Sequence, residues 1–129
     1  MKKIMAIALL LSLAFFMAAP QEKKDKKKDV KEVTVTGEII DVKCYVTGMQ
    51  GGMGEDHKQC AIDCIKGGLP VGILDQSTNK LLVVVPKAGM MGANEELLPH
   101  VAQKVKLTGI IAEKGGQKVF IYTKVEEAK

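Results

Sequence analysis

The sequence predicts a mainly β domain, and three observations predict it. Val33, Val35, Gly37 and Ile39 alternate with Thr34, Thr36 and Glu38, the period of two of a half-buried strand. Val71 to Leu74 and Lys80 to Val85 are short β-type runs on either side of the turn-forming Asp75-Gln76-Ser77-Thr78-Asn79, the layout of a hairpin. Val105, Leu107, Gly109 and Ile111 make one apolar stripe and Val119, Ile121 and Val125 another, with Glu113-Lys114-Gly115-Gly116 as the turn of a closing hairpin.

The chain reaches this domain through two segments of different composition. Lys2 and Lys3 precede an apolar run, Ile4 to Met17, broken only by Ser12, which is the layout of an export signal. With Ala18 and Ala19 the run is sixteen residues, short of the ~18 to 20 that an apolar helix needs to cross a bilayer. Residues 1–19 are therefore expected to be a signal peptide, with a mature chain beginning between Pro20 and Lys24 in the periplasm or outside the cell; an uncleaved membrane anchor is the alternative. Residues 20–32 are nearly all charged from Gln21 onward and hold too little apolar surface to order themselves. They read as a flexible tether, a solvated spacer with weak attraction to a membrane or cell wall as its functional alternative.

The single domain is expected over 33–129. Its eleven lysines balance eleven acidic residues, so the +4 charge of the 129-residue chain comes from its front end. The chain contains no arginine, the side chain best suited to bidentate phosphate recognition. After the signal its aromatics are Tyr45, Phe120 and Tyr122, too few for a base-stacking surface. A nucleic-acid partner is not expected.

Along the domain, apolar parity switches after Ile39-Ile40 so that Val42, Cys44 and Val46 share a face, as in a long first strand interrupted by a bulge or bend. Thr47 to Glu55, with four glycines, Met49 and Met53, reads as a loop. A helix follows, with Asp56 as N-cap, Gln59 as its capping-box partner and Gly67-Gly68 as its stop. After the central hairpin and the loop Gly89-Met90-Met91-Gly92, Asn94 is a plausible N-cap for a short amphipathic helix presenting Leu97, Leu98 and Val101, limited by Pro99. On the last strand Phe120 and Tyr122 fall opposite Val119 and Ile121, which predicts an exterior aromatic patch. The order of long bent strand, helical insertion, two strands, short helix and two strands is that of an OB-like five-stranded barrel with a helix between strands 3 and 4. A split β-sandwich with two peripheral helices is the alternative.

Chemistry concentrates in the insertion. His57, Cys60 and Cys64 fall within about 60° of arc on one helical face, and Cys44 stands at the expected end of the first strand. If the loop folds the helix back, the four supply three sulfurs and one imidazole, a recognised tetrahedral zinc set. Met49 and Met53 add thioethers, and thioether with thiolate favours Cu(I). The expected ion is thus Zn(II) or Cu(I) on Cys44, His57, Cys60 and Cys64, with Met49 and Met53 as auxiliary copper ligands. Two other uses of the cysteines stand beside this one. In an oxidising compartment three cysteines give one disulfide and one spare thiol, with Cys44 bridged to Cys60 or Cys64, since an intact helix does not easily bring Cys60 and Cys64 to disulfide geometry. The third use is a redox-active thiol. His57 favours the metal, because a disulfide scaffold has no use for an imidazole on the same face as both thiols; alone it would be a solvent-facing first-turn residue, and the methionines would merely cover loops.

Asp41-Val42-Lys43-Cys44-Tyr45, then His57, Cys60-Ala61, Cys64 and Gly67-Gly68-Leu69-Pro70-Val71-Gly72-Ile73-Leu74, covering about a third of the chain, resemble a pattern in small exported bacterial proteins with an OB-like domain. The resemblance implies a periplasmic or secreted location and a shared cysteine-histidine feature, and brings no activity with it. Cys44 with His57 is the one nucleophile-base pair on offer, and Glu95-Glu96 and Glu126-Glu127 read as solvated faces. The chain reads as a binding protein rather than an enzyme.

Overall fold

The computed structural model describes residues 31–129, so the expected signal peptide and all of the tether except Lys31 and Glu32 lie outside the described residues. The domain is mainly β. Strand β1 is Val33–Asp41, β2 Val71–Asp75, β3 Leu81–Pro86, β4 Lys104–Lys114 and β5 Gln117–Glu127. Helix α1, Val42–Thr47, and helix α2, Lys58–Lys66, lie between β1 and β2; α3, Asn94–Leu97, continues into a 3-10 turn, Leu98–His100, before β4.

The hydrogen-bonded order is β1-β2-β3-β5-β4, and β4 pairs back onto β1, so the five-stranded sheet closes on itself. β1 makes this closure by serving two neighbours. Val33 to Glu38 pair with β4, from Val33 opposite Gly109 to Glu38 opposite Lys104, while Gly37 to Asp41 pair with β2, from Gly37 opposite Asp75 to Asp41 opposite Val71. β3 and β5 join in parallel, Val83 to Val119 through Pro86 to Tyr122. The two hairpins expected from the sequence are present, β2 with β3 and β4 with β5.

Inward residues of all five strands form one core, including Val35, Ile39, Ile73, Val84, Leu107 and Phe120, and α2 adds Ala61 and Ile65. The short helical segment before β4 closes one end with Leu97 and Val101, both essentially inaccessible. It is fixed from three sides. Ala102 N–H donates to Ile39 O at 2.9 Å, the Tyr122 hydroxyl donates to a Glu96 carboxylate oxygen, and the Asn94 side-chain amide donates to Ile65 O at 3.0 Å and Leu69 O at 2.9 Å. Asn94 is thus not the N-cap of its own helix; Ala93 occupies that position without a side-chain bond. The Asn94 amide instead bonds Ile65 O, which also accepts from Gly68 N–H at 3.0 Å, and Leu69 O in the segment that follows α2.

The aromatic patch expected on the exterior is overturned: Phe120 is 0% and Tyr122 4% exposed, whereas Val119 and Ile121 are half-buried. The reason is a β-bulge. Thr108 pairs with Lys124 but Gly109 with Tyr122, so Thr123 is an extra residue on β5 and the strand's parity inverts there. Val125 packs on the core from one side of the bulge, Tyr122 and Phe120 from the other. The Thr123 hydroxyl donates to Thr108 O at 3.1 Å. A Cβ on Gly109 would lie 2.2 Å from Ile121 O, so the close approach of the two strands here needs glycine.

Candidate metal centre

β1 does not run on to Val46. It ends at Asp41, and residues 42–47 are helical, which corrects the expected position of Cys44 from the end of a strand to the first turn of α1. The cause is Asp41, whose buried carboxylate accepts from Lys43 N–H at 3.2 Å and Cys44 N–H at 3.0 Å in an extended N-cap conformation. Helical geometry replaces the shared face of Val42, Cys44 and Val46 with a different outcome, for Cys44 is 0% exposed and Val46 68%.

The loop after α1 turns back onto it. Gly52 has a φ of +68°, and a Cβ there would stand 2.6 Å from Tyr45 Cα and 2.8 Å from Cys44 O, so the backbone of the loop rests directly on the helix carrying Cys44. Glu38 of β1 accepts a hydrogen bond from Gly54 N–H, which ties the loop to the sheet. A 3-10 turn, Glu55–His57, then delivers His57, and His57 itself is the residue before α2. The expected capping box is absent: Asp56 lies inside the turn, α2 starts at Lys58 without a side-chain cap, and Gln59 donates to Asp63 at 3.0 Å. Gly67 and Gly68 do end α2, with Leu69 N–H reaching Cys64 O at 3.1 Å.

This folding gathers the cysteines and the histidine around Cys44. The ligating atoms of Cys44, His57 and Cys60 lie within 4.8 Å of one another, and so do those of Asp41, Cys44 and Cys64. The four expected ligands therefore do not form one mutual set: together with Asp41 they make two overlapping triplets joined at Cys44. Cys44 Sγ and Cys64 Sγ are 3.8 Å apart. All three cysteines are free thiols; Cys44 is buried, and Cys60 and Cys64 are partly exposed. Either triplet has a composition able to hold a metal ion.

Two electrostatic features mark the centre. His57 is 1% exposed, and neither its Nδ1 nor its Nε2 has a hydrogen-bond partner among the described residues. The solvent-facing reading of this histidine is thereby excluded. The Cys44 thiol is held far above its usual pKa, first by its hydrogen bond to Asp41, then by burial and by the neighbouring Cys64 sulfur. Burial raises the Cys64 thiol too, while its hydrogen bond with Cys44 acts the other way. Both thiols resist ionisation until something better than a proton binds them, and an ion loading this site releases protons.

Met53 borders, with Gly52, Gly54, Ile40 and Ala61, a small space beside His57. Met49 lies on the 3-10 turn Met49–Gly51 and is 46% exposed, about as much as Met53 at 44%. Asp41 is the residue that sequence reasoning missed; an Asp directly before Val42-Lys43-Cys44 has the signature of an N-cap. Comparison with protein-family models, curated proteins and solved structures finds no match for the chain. No helix among the described residues is long and apolar enough to cross a membrane.

Proposed function

We propose that the protein is an exported binding protein that holds one soft or borderline ion, Zn(II) or Cu(I), on Cys44, His57, Cys60 and Cys64 of an OB-like barrel. The observation that carries this reading is His57. A buried polar group without a partner costs roughly 1–3 kcal/mol, and the groups grouped with this imidazole within 4.8 Å are the sulfurs of Cys44 and Cys60. A metal–nitrogen bond removes that cost. The sulfur spacing supports the same reading: two thiolates bound at about 2.3 Å to one tetrahedral ion stand about 3.8 Å apart, which is the Cys44–Cys64 separation of 3.8 Å. With Cys3His filled, no open position remains for a substrate, so the metal is structural or carried rather than catalytic.

The barrel reading is supported by the closed order β1-β2-β3-β5-β4 and by the short helical segment between β3 and β4. Export rests on residues 1–19 alone, and N-terminal sequencing of protein from its native host tests it: a start between Pro20 and Lys24 is expected, and an intact Met1 in the membrane fraction overturns it. The metal is tested on protein isolated anaerobically, by elemental analysis with thiol titration. About one ion per chain and three thiols that react only after chelation are expected. A metal-free chain that takes up neither Zn(II) nor Cu(I) overturns the site, and the element found decides between the two ions.

A further inference from the structure

The same four side chains are arranged asymmetrically towards oxidation. Cys60 and Cys64 sit one turn apart on α2, where an intact helix disfavours a disulfide. Cys44 approaches both from α1, and its contact with Cys64 is 3.8 Å between sulfurs, against about 2.05 Å in a formed bond. Cys44 is sealed from solvent, whereas Cys64 is partly exposed. An external disulfide reaches the two partly exposed sulfurs, Cys60 and Cys64, and of the two it is Cys64 that has Cys44 behind it in van der Waals contact at 3.8 Å.

Resting on the metal reading above, we propose that Cys64 and Cys44 are the attacking and resolving thiols of a redox gate, through which exchange with a small-molecule disulfide such as glutathione disulfide releases the ion. The Cys64 thiolate attacks one glutathione sulfur, breaking the glutathione S–S bond and expelling one glutathione thiolate, which takes up a proton. Because ion loading has already removed the thiol protons, the Cys44 sulfur then attacks the Cys64 sulfur of the mixed disulfide as a thiolate. It expels the second glutathione thiolate, which takes up a proton from water as the ion leaves. Two protein thiols are oxidised to one disulfide, and one glutathione disulfide is reduced to two thiols. Because thiolates and not disulfide sulfurs are the metal ligands, the bridge removes two of the four donors at once, Cys44 from both triplets and Cys64 from one. His57 and Cys60 alone do not complete a tetrahedral site.

The experiment uses the full chain, reduced and loaded with Zn(II), then treated with glutathione disulfide. Zinc release is followed with a chromophoric chelator, thiols by titration and the bridge by peptide mapping. One zinc released per Cys44–Cys64 bridge is expected, with a fall from three thiols to one and reversal by dithiothreitol. Cys60→Ser should go from two thiols to none, because it keeps both members of the pair. Cys64→Ser should remain at two thiols, and glutathione disulfide should accelerate its zinc release over an oxidant-free control at least about tenfold less than in the parent chain, the attacking sulfur in contact with Cys44 being lost. A Cys44–Cys60 bridge, or a Cys44–Cys64 bridge formed with the ion retained, overturns the gate while the metal reading stands. A reduced chain that takes up neither zinc nor Cu(I) overturns the metal reading and the gate with it, and the thiol count of the metal-free chain still reports whether the bridge forms.

Discussion

The closing hairpin and the insertion between β1 and β2 are held by different physics. β4 and β5 are eleven residues each and pair from Lys114–Gln117 at the turn to Val105–Glu127 at the far end, and their inward side chains, Val105, Leu107, Phe120 and Tyr122, are all core. The insertion buries little apolar surface of its own beyond Cys44, Ala61 and Ile65. Its shape comes from polar attachments, Asp41 on the first turn of α1 and Glu38 on Gly54, and it encloses a histidine with no hydrogen-bond partner among the described residues. One region is stable by burial, and the other is held by polar attachments around a cluster that could hold a metal ion.

That contrast breaks first at Phe120. Phe120→Ala should cost about 3–5 kcal/mol and lower the denaturation midpoint of the whole domain equally with and without metal. Chelation should do the reverse, acting on one region. An ion present at about a hundred times its Kd stabilises what it binds by about 2.7 kcal/mol, so its removal should speed amide exchange in α1 and α2 about a hundredfold while β4 and β5 keep their protection. Uniform loss of protection would show that the two regions are one cooperative unit.

The smaller effects sharpen the comparison. Asp41→Ala removes the cap of α1 and should cost about 0.5–2 kcal/mol, with weaker metal uptake because Cys44 loses its anchor. His57→Leu should abolish metal uptake yet leave the metal-free domain as stable or about 1 kcal/mol more so, since it removes a buried group without a partner among the described residues; chemical denaturation of the chelated protein reads the sign. The least effect near neutrality belongs to Tyr122, whose hydroxyl is pushed up by burial and then by its bond to Glu96. A raised folded-state pKa means that the unfolded chain ionises first. The contribution is therefore complete below about pH 10, the unfolded tyrosine value, and fades as pH rises above it. Tyr122→Phe should flatten that alkaline decline in a denaturation series.

The hairpins were legible because period-two patterns and turn residues are local: Val105, Leu107 and Gly109 alternate, and Gly115-Gly116 turns. The residues that gather around Cys44 stood out by type, while the single helical face expected for His57, Cys60 and Cys64 gives way to a 3-10 turn carrying His57 and to two separate triplets. What failed was parity wherever one residue intervened. Val119, Ile121 and Val125 read as one stripe only if Thr123 pairs normally, and the bulge at Gly109 is a property of two strands together. Val42, Cys44 and Val46 fit period two, but a single capping carboxylate converts them to a helix turn. The approach of Cys44 to His57 depended on Gly52 against Tyr45 and on Glu38 holding Gly54, contacts between residues that no local pattern links.

The Asn94 amide that grips the last turn of α2 also determines how the site can move. It ties Ile65 in that turn, and Leu69 just beyond the helix, to the segment that closes one end of the sheet, so α2 is a lever with its pivot remote from His57. Nine residues at about 1.5 Å each give an arm of about 13 Å. An approach of about 1 Å by the His57 end of that arm towards Cys44 is then a tilt of only about 4°, small enough for the core beneath Ile65 to remain packed.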